Sequence, residues 1–132
     1  TDYLDYDYSY SDQEEWLNFD NIELQNLINQ GNTVFVDITA DWCITCKANK
    51  ILVLNNKEFK SLIRDNKIIL MKGDWTKPND QINKFLQKSN RYGIPFNALY
   101  SSNFPNGLLY SEILSLKDIR ASVTKLHSSI AQ

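Results

Sequence analysis

Two cysteines three residues apart stand where an apolar strand gives way to a helix, and this junction restricts the fold more than any other feature of the chain. Residues 33–39 read TVFVDIT. A β-branched and aromatic run interrupted once by Asp37 has the character of a buried strand. It leads through Ala40, Asp41 and Trp42 to Cys43, and residues 43–54, CITCKANKILVL, suit a helix. Cys43 and Cys46 are the chain's two cysteines. A small secreted scaffold stapled by disulfides carries four or more, so the pair is a local chemical unit and not a framework.

The surrounding sequence supplies the rest of a layered domain. Asp20 or Asn21 caps a short amphipathic helix with Leu24, Leu27 and Ile28 at helical spacing, closed by Gly31. Beyond the cysteine helix, Asn55 with Glu58 resembles a capping box opening a second helix through Phe59, Leu62 and Ile63, so the crossover is helical but broken. Residues 67–74 form the next strand, and Ile82, Phe85 and Leu86 place a helix over 79–89. Two short strands, 96–101 and 108–114, are joined by the turn-rich Ser102-Asn103-Phe104-Pro105-Asn106-Gly107. Ser115 then caps a final helix with Leu116, Ile119, Val123, Leu126 and Ile130 along one side. A βαβ unit followed by ββα predicts an α/β fold with a central mixed sheet, its first pair parallel and its last a hairpin, flanked by helices on both faces.

Length and charge narrow the class further. With 132 residues, 42% hydrophobic and 23% charged, the chain is one globular domain. Its longest apolar runs are four residues, at 51–54 and 68–71, far short of the roughly 20 needed to cross a bilayer. Thr1 is not an initiator methionine and no signal-like sequence follows it, so the chain reads as a mature or excised piece. Residues 1–20 hold seven acidic groups and no Lys or Arg, which leaves fourteen basic and nine acidic groups in the remainder. The expectation is an acidic flexible arm or linker over 1–20 and one domain over 21–132. The basic residues are scattered and the calculated pI is 5.3, so nucleic-acid binding is not supported. Lys47, Lys50, Lys57, Lys60 and Arg64 make the broken crossover basic, which reads as a solvated face.

The chemistry lies at the cysteines. A sulfur at a helix N-terminus meets unpaired N–H groups and the positive end of the helix dipole, which favour its thiolate. In such settings a thiol pKa falls from about 8.5 towards 7 or lower. Cys46, on the same face, can attack a mixed disulfide formed at Cys43, so the pair suits thiol–disulfide exchange. Zinc wants about four ligands, and one CxxC with a distant His127 does not supply them, so no metal and no organic cofactor are called for. Inert thiols remain the plain alternative. The apolar neighbours Val34, Val36 and Ile38 point to a buried Asp37, whose pKa burial would raise towards neutrality; a strand-end carboxylate satisfied by backbone donors is the alternative. Lys72 reads either as a solvated strand residue or as a partner of Asp37.

At Trp42-Cys43-Ile44-Thr45-Cys46-Lys47 the chain resembles the thioredoxin superfamily, and residues 33–128 follow that pattern. Asp37, six residues before Cys43, matches the buried acid that in thioredoxins helps move the proton of the second cysteine. Lys72 matches the lysine near that acid, and Tyr92-Gly93-Ile94-Pro95 matches the segment carrying the cis-proline. Ordinary thioredoxins place Gly-Pro between the cysteines and Thr after that proline, whereas Ile44-Thr45 and Phe96 stand here. The ADWCxxCK wording and the acidic leading arm look more like the C-terminal periplasmic domain of DsbD-type thiol:disulfide interchange proteins.

The resemblance implies a thioredoxin-like fold and a protein-disulfide reductase relaying electrons by dithiol–disulfide exchange. Cys43, Cys46, Asp37 and Lys72 would be the catalytic set. Trp42, Ile94, Pro95 and Phe96 would bind the partner, with Phe96, like Trp75, a weaker candidate for the same surface. The implied partners are a membrane-embedded electron donor domain and a periplasmic acceptor, and the implied location is the periplasm, tethered to the inner membrane in a full-length protein. The isolated domain is expected to be monomeric. Motif spacing leaves open an oxidase or isomerase on the same fold, and a non-enzymatic interaction module is the rival from another class.

Overall fold

The computed structural model describes residues 16–131. Its elements are β1 (Trp16–Asn18), α1 (Asn21–Asn29), β2 (Val34–Thr39), α2 (Ile44–Asn49) running into a π-helical turn (Lys50–Leu54), α3 (Lys57–Asp65), β3 (Ile69–Asp74), α4 (Asp80–Lys88), β4 (Phe96–Ser101), β5 (Phe104–Leu109) and α5 (Leu116–Ala131). The five strands form one sheet in the order β1-β3-β2-β4-β5. β3 pairs parallel with both β1 and β2, β4 pairs antiparallel with β2, and β4 and β5 form a hairpin. This is the expected mixed sheet with helices on both faces.

β2 is the middle strand, and side-chain alternation divides its residues between two cores. Val34, Val36 and Ile38 join Leu24 and Ile28 of α1 and Ile82, Phe85 and Leu86 of α4. Phe35, on the opposite face, packs among Val53 and Leu54 of the π turn, Phe59 and Ile63 of α3, and Ile119, Val123 and Leu126 of α5. By the same alternation Asp37 lies on the Phe35 face, beneath the crossover that begins with the cysteines. Burial of both faces is why the run, Asp37 apart, is apolar on both sides and not alternating.

Local chemistry fixes the helix starts. Asp20 accepts the Glu23 N–H, Asn79 the Ile82 N–H, and Ser115 Oγ the Asp118 N–H. α3 is capped one residue later than expected: Asn56, not Asn55, accepts the Glu58 N–H at 2.7 Å. The break in the crossover is the π turn, after which Asn55 closes back onto the Lys50 carbonyl.

Two expectations are corrected. The boundary at residue 20 falls too late, because Trp16–Asn18 pairs with Leu70, Met71 and Lys72 as an edge strand. Residues 1–15, which carry the rest of the expected arm, lie outside the described residues. The second hairpin strand is Phe104–Leu109 and not 108–114, and it begins only two residues after β4. An edge strand tolerates Pro105, which donates nothing to a ladder, and a register shift between Leu99 and Ser101 takes up the irregularity. Gly107 has φ +88°, and a Cβ there would meet the Tyr100 ring at 2.7 Å.

Candidate redox site

The chain leaves β2 at Thr39 and turns so that the Cys43 N–H bonds the Ala40 carbonyl at 3.1 Å. Cys43 has extended backbone geometry and caps α2 with its own sulfur, which accepts the Cys46 N–H at 3.2 Å. Cys43 and Cys46 are joined in a disulfide. A sulfur already serving as the cap of a helix keeps that N–H donor when the bond is reduced, which stabilises the thiolate. Both sulfur-bearing residues are nearly covered, at 6% and 5% exposure, and pack with Ala40 and Ile94. Between and beside them, Ile44 and Trp42 are exposed, at 83% and 58%.

Beneath the crossover lies a polar cluster within the core. Asp37 is buried, and its Oδ1 accepts the Asn97 side-chain N–H at 2.8 Å. Its carboxyl pKa is pushed up to about 6, chiefly by burial, with the Asn97 hydrogen bond and then the charges of Lys72 and Lys50 opposing. A cavity over the carboxyl is lined by Trp16, Asp37, Lys50, Leu54, Asn55 and Lys72. Three strands build it by register: Asp37 sits beside Lys72 on β3 and Asn97 on β4. The Lys72 ammonium lies 6.0 Å from the Trp16 ring centre, within the range of a cation–π contact. A carboxyl titrating near 6 can take up and release protons at neutral pH.

The exposed rim is aromatic. Trp42 donates its indole N–H to the Thr76 carbonyl at 3.2 Å, and the Trp42 and Trp75 ring centres lie 6.4 Å apart. Thr76 also receives the Asp41 N–H on its hydroxyl and donates to Asp74. Trp75 is pinned by its indole N–H to Asn83 at 2.9 Å. Trp42, Trp75, Thr76, Pro78 and Asn83 line a shallow cleft on this rim.

Of the sequence-predicted site residues, the structure brings Cys43, Cys46 and Ile94 into one packed cluster and sets Asp37 beside Lys72. The Ile94–Pro95 peptide is cis, with Ile94 half-buried against the cysteines and Pro95 buried. Phe96 is a correction: it is 1% exposed and packs edge-on to Phe85 at 5.3 Å, so it belongs to the α4 side of the core and not to a binding surface. Alternation explains it, because the residue after Pro95 turns to the face opposite Asn97. His127 bonds Asn66 on the surface, far in sequence from the cysteine pair. Sequence reasoning missed Trp16, Lys50 and Asn97. Asn97 was findable, as a polar residue inside the otherwise apolar run FNALY, the same signal that marks Asp37.

No curated protein matches the sequence with significance. Among solved structures, the C-terminal domain of Neisseria meningitidis DsbD in the oxidised form is similar in fold, with a TM-score of 0.61 and 18% identity over 80% of this chain and 90% of that one. The N21Q mutant thioredoxin of Halobacterium salinarum gives 0.58 and 15% over 83% and 87%. Fasciola hepatica thioredoxin gives 0.56 and 19% over 84% and 97%. At these identities the likeness speaks to fold, and the fold carries a CxxC disulfide at a helix N-terminus, an arrangement whose chemistry is thiol–disulfide exchange. The sequence matches the Thioredoxin-like family over residues 15–102, and the chain belongs to that family.

Proposed function

We propose that this thiol–disulfide oxidoreductase works as a protein-disulfide reductase. The observation that carries the reading is the Cys43–Cys46 disulfide at the start of α2, with a buried, near-neutral carboxyl beneath the same crossover. In the reduced protein the Cys43 thiolate attacks one sulfur of a partner disulfide. The Cys43–partner S–S bond forms, the partner's own S–S bond breaks, and one partner thiolate leaves. Cys46 then gives its proton to Asp37 and attacks Cys43 Sγ. That step forms Cys43–Cys46, breaks the mixed disulfide and releases the second partner thiolate, which takes up a proton. Two electrons have passed from the dithiol to the partner.

Lys72 tempers the charge on Asp37, and Trp42 and Ile94 flank the sulfurs on the side a partner strand approaches. The periplasm is the proposed setting, with a membrane-embedded electron donor and a periplasmic acceptor. Support for it is the ADWCxxCK wording together with the likeness in fold to a DsbD C-terminal domain. Cys46→Ala, mixed with a disulfide-bearing protein, should accumulate a mixed disulfide through Cys43, while Cys43→Ala should not. Non-reducing gels read this directly, and equal trapping by both variants overturns the assignment. A reduced wild-type protein that leaves partner disulfides oxidised at equilibrium overturns the reductase direction.

A further inference from the structure

We propose that Asn97 is a positioning residue that holds the Asp37 carboxylate for proton transfer and ties it to the strand that follows the Ile94–Pro95 segment. The inference rests on the reductase reading above and adds a residue to it. Asn97 is 3% exposed, the second residue of a strand whose six residues are all buried. An amide in such a place is costly unless bonded, and this one is bonded, as is the backbone that carries it. Its side chain donates to Asp37 Oδ1 at 2.8 Å, and its backbone carbonyl accepts the Tyr110 N–H at 3.0 Å. A carboxylate oxygen can only accept, so the contact fixes which end of the amide faces it.

The neighbours of Asp37 leave the direct contact to Asn97. Lys72 faces it from β3, Lys50 from the π turn, and Trp16, Leu54 and Asn55 complete the cavity wall. The ion pairs among the described residues are Arg64–Asp65 and Arg120–Glu58, so neither lysine is within pairing distance of the carboxylate. Both lysines act through space, whereas Asn97 acts through a hydrogen bond that orients the acid. Asn97 also stands two residues beyond Pro95 and three beyond Ile94, which packs on the cysteines. The four residues that lead into and open β4, Ile94 to Asn97, therefore carry both the wall of the sulfur site and the donor that aligns its acid.

Asn97→Leu keeps the branched shape at Cγ and removes the donor. The pH midpoint of mixed-disulfide resolution, followed by stopped flow, should rise by about one unit, the scale of a lost hydrogen bond to a charged group. Resolution should then be about threefold slower than wild type at pH 6.5 and equal to it at pH 8.5. A role confined to packing would slow or destabilise without moving the midpoint, and an unmoved midpoint overturns the proposal. If Asn97→Leu does not fold, the oxidised wild type decides: the Asn97 side-chain amide signals should follow the Asp37 carboxyl titration in NMR spectra, and amide signals that stay flat through it overturn the proposal. When Asp37→Asn flattens the pH dependence and Asn97→Leu leaves it intact, the Asn97 role fails alone. Absence of any exchange through Cys43 removes the reductase reading and the Asn97 role with it.

Discussion

The two faces of β2 are equally buried and chemically unlike. Towards α1 and α4 the strand presents Val34, Val36 and Ile38 to a core of aliphatic and aromatic side chains. Towards the crossover it presents Phe35 and then Asp37, and around Asp37 the sheet gathers Asn97 and Lys72 while the π turn brings Lys50. One face is filled for cohesion. The other accepts a buried carboxyl, a group that elsewhere is excluded or ion-paired, at the place where β2 feeds into the redox cysteines. The contrast separates what the fold needs from what the site needs. An apolar residue at 37 would serve the sheet better, so the acid is a cost to the fold, and the proposed proton transfer gives that cost a use.

The sharpest way to break the comparison is to put an acid on the wrong face. Val36→Asp sets a carboxyl in the largely aliphatic cluster that holds Leu24, Ile82 and Met71. The variant should lose about 3–5 kcal/mol in chemical denaturation, a large part of the stability of a domain this size. A loss below 1 kcal/mol would mean that the two faces are interchangeable.

Removing the acid from the proper face should do the reverse. The folded-state pKa of Asp37 is raised from 3.8 to about 6. The folded protein therefore binds more protons than the unfolded chain between those values, and stability falls as pH rises through them. The penalty is absent below 3.8 and complete above 6. Asp37→Asn keeps the Asn97 neighbour without the charge, so relative to wild type it should gain up to about 3 kcal/mol at pH 8 and little at pH 3.5. Denaturation midpoints at the two pH values test this. The same variant should slow resolution of the mixed disulfide, because an amide accepts no proton. A variant no more stable than wild type at pH 8 would show that the carboxyl is compensated and the asymmetry of the faces is one of shape alone.

How much of this was legible depended on whether the signal was local. The strand at β2, the helices over Ile82, Phe85 and Leu86 and over Ile119, Val123 and Leu126, and the CxxC junction all follow from spacing within a dozen residues. β1 did not, because three residues, Trp16-Leu17-Asn18, show no periodicity and the acidic residues on either side mask them; pairing with β3 makes them a strand. The hairpin moved because Pro105 and Gly107 read as turn residues, yet an edge strand admits both. At the site, Asp37 was legible as a lone acid in an apolar run. Lys50 was read as part of a solvated face because helical periodicity says nothing of a π turn, which carries Lys50 to the wall of the Asp37 cavity. Phe96 was misplaced by analogy; alternation along β4, which sets it opposite Asn97, puts it in the core.

The smallest effect tests whether the polar face works by contact or by field. Lys72 and Lys50 both lower the proton affinity of Asp37, Lys72 more strongly and both less than the Asn97 hydrogen bond. Lys72→Gln should therefore raise the Asp37 titration midpoint by less than Asn97→Leu does, and Lys50→Gln by less again. Lys50 is exposed, so its charge is screened by solvent ions, while a buried hydrogen bond is not. Raising the salt from 0.05 to 0.5 M, conditions between which the screening length falls about threefold, should erase the difference between Lys50→Gln and wild type and leave that between Asn97→Leu and wild type in place. NMR titration of the Asp37 carboxyl in each variant gives the order. If Lys50→Gln moved the midpoint further than Asn97→Leu, and kept that lead in high salt, the acid would be governed from the crossover above it and not from the sheet that holds it.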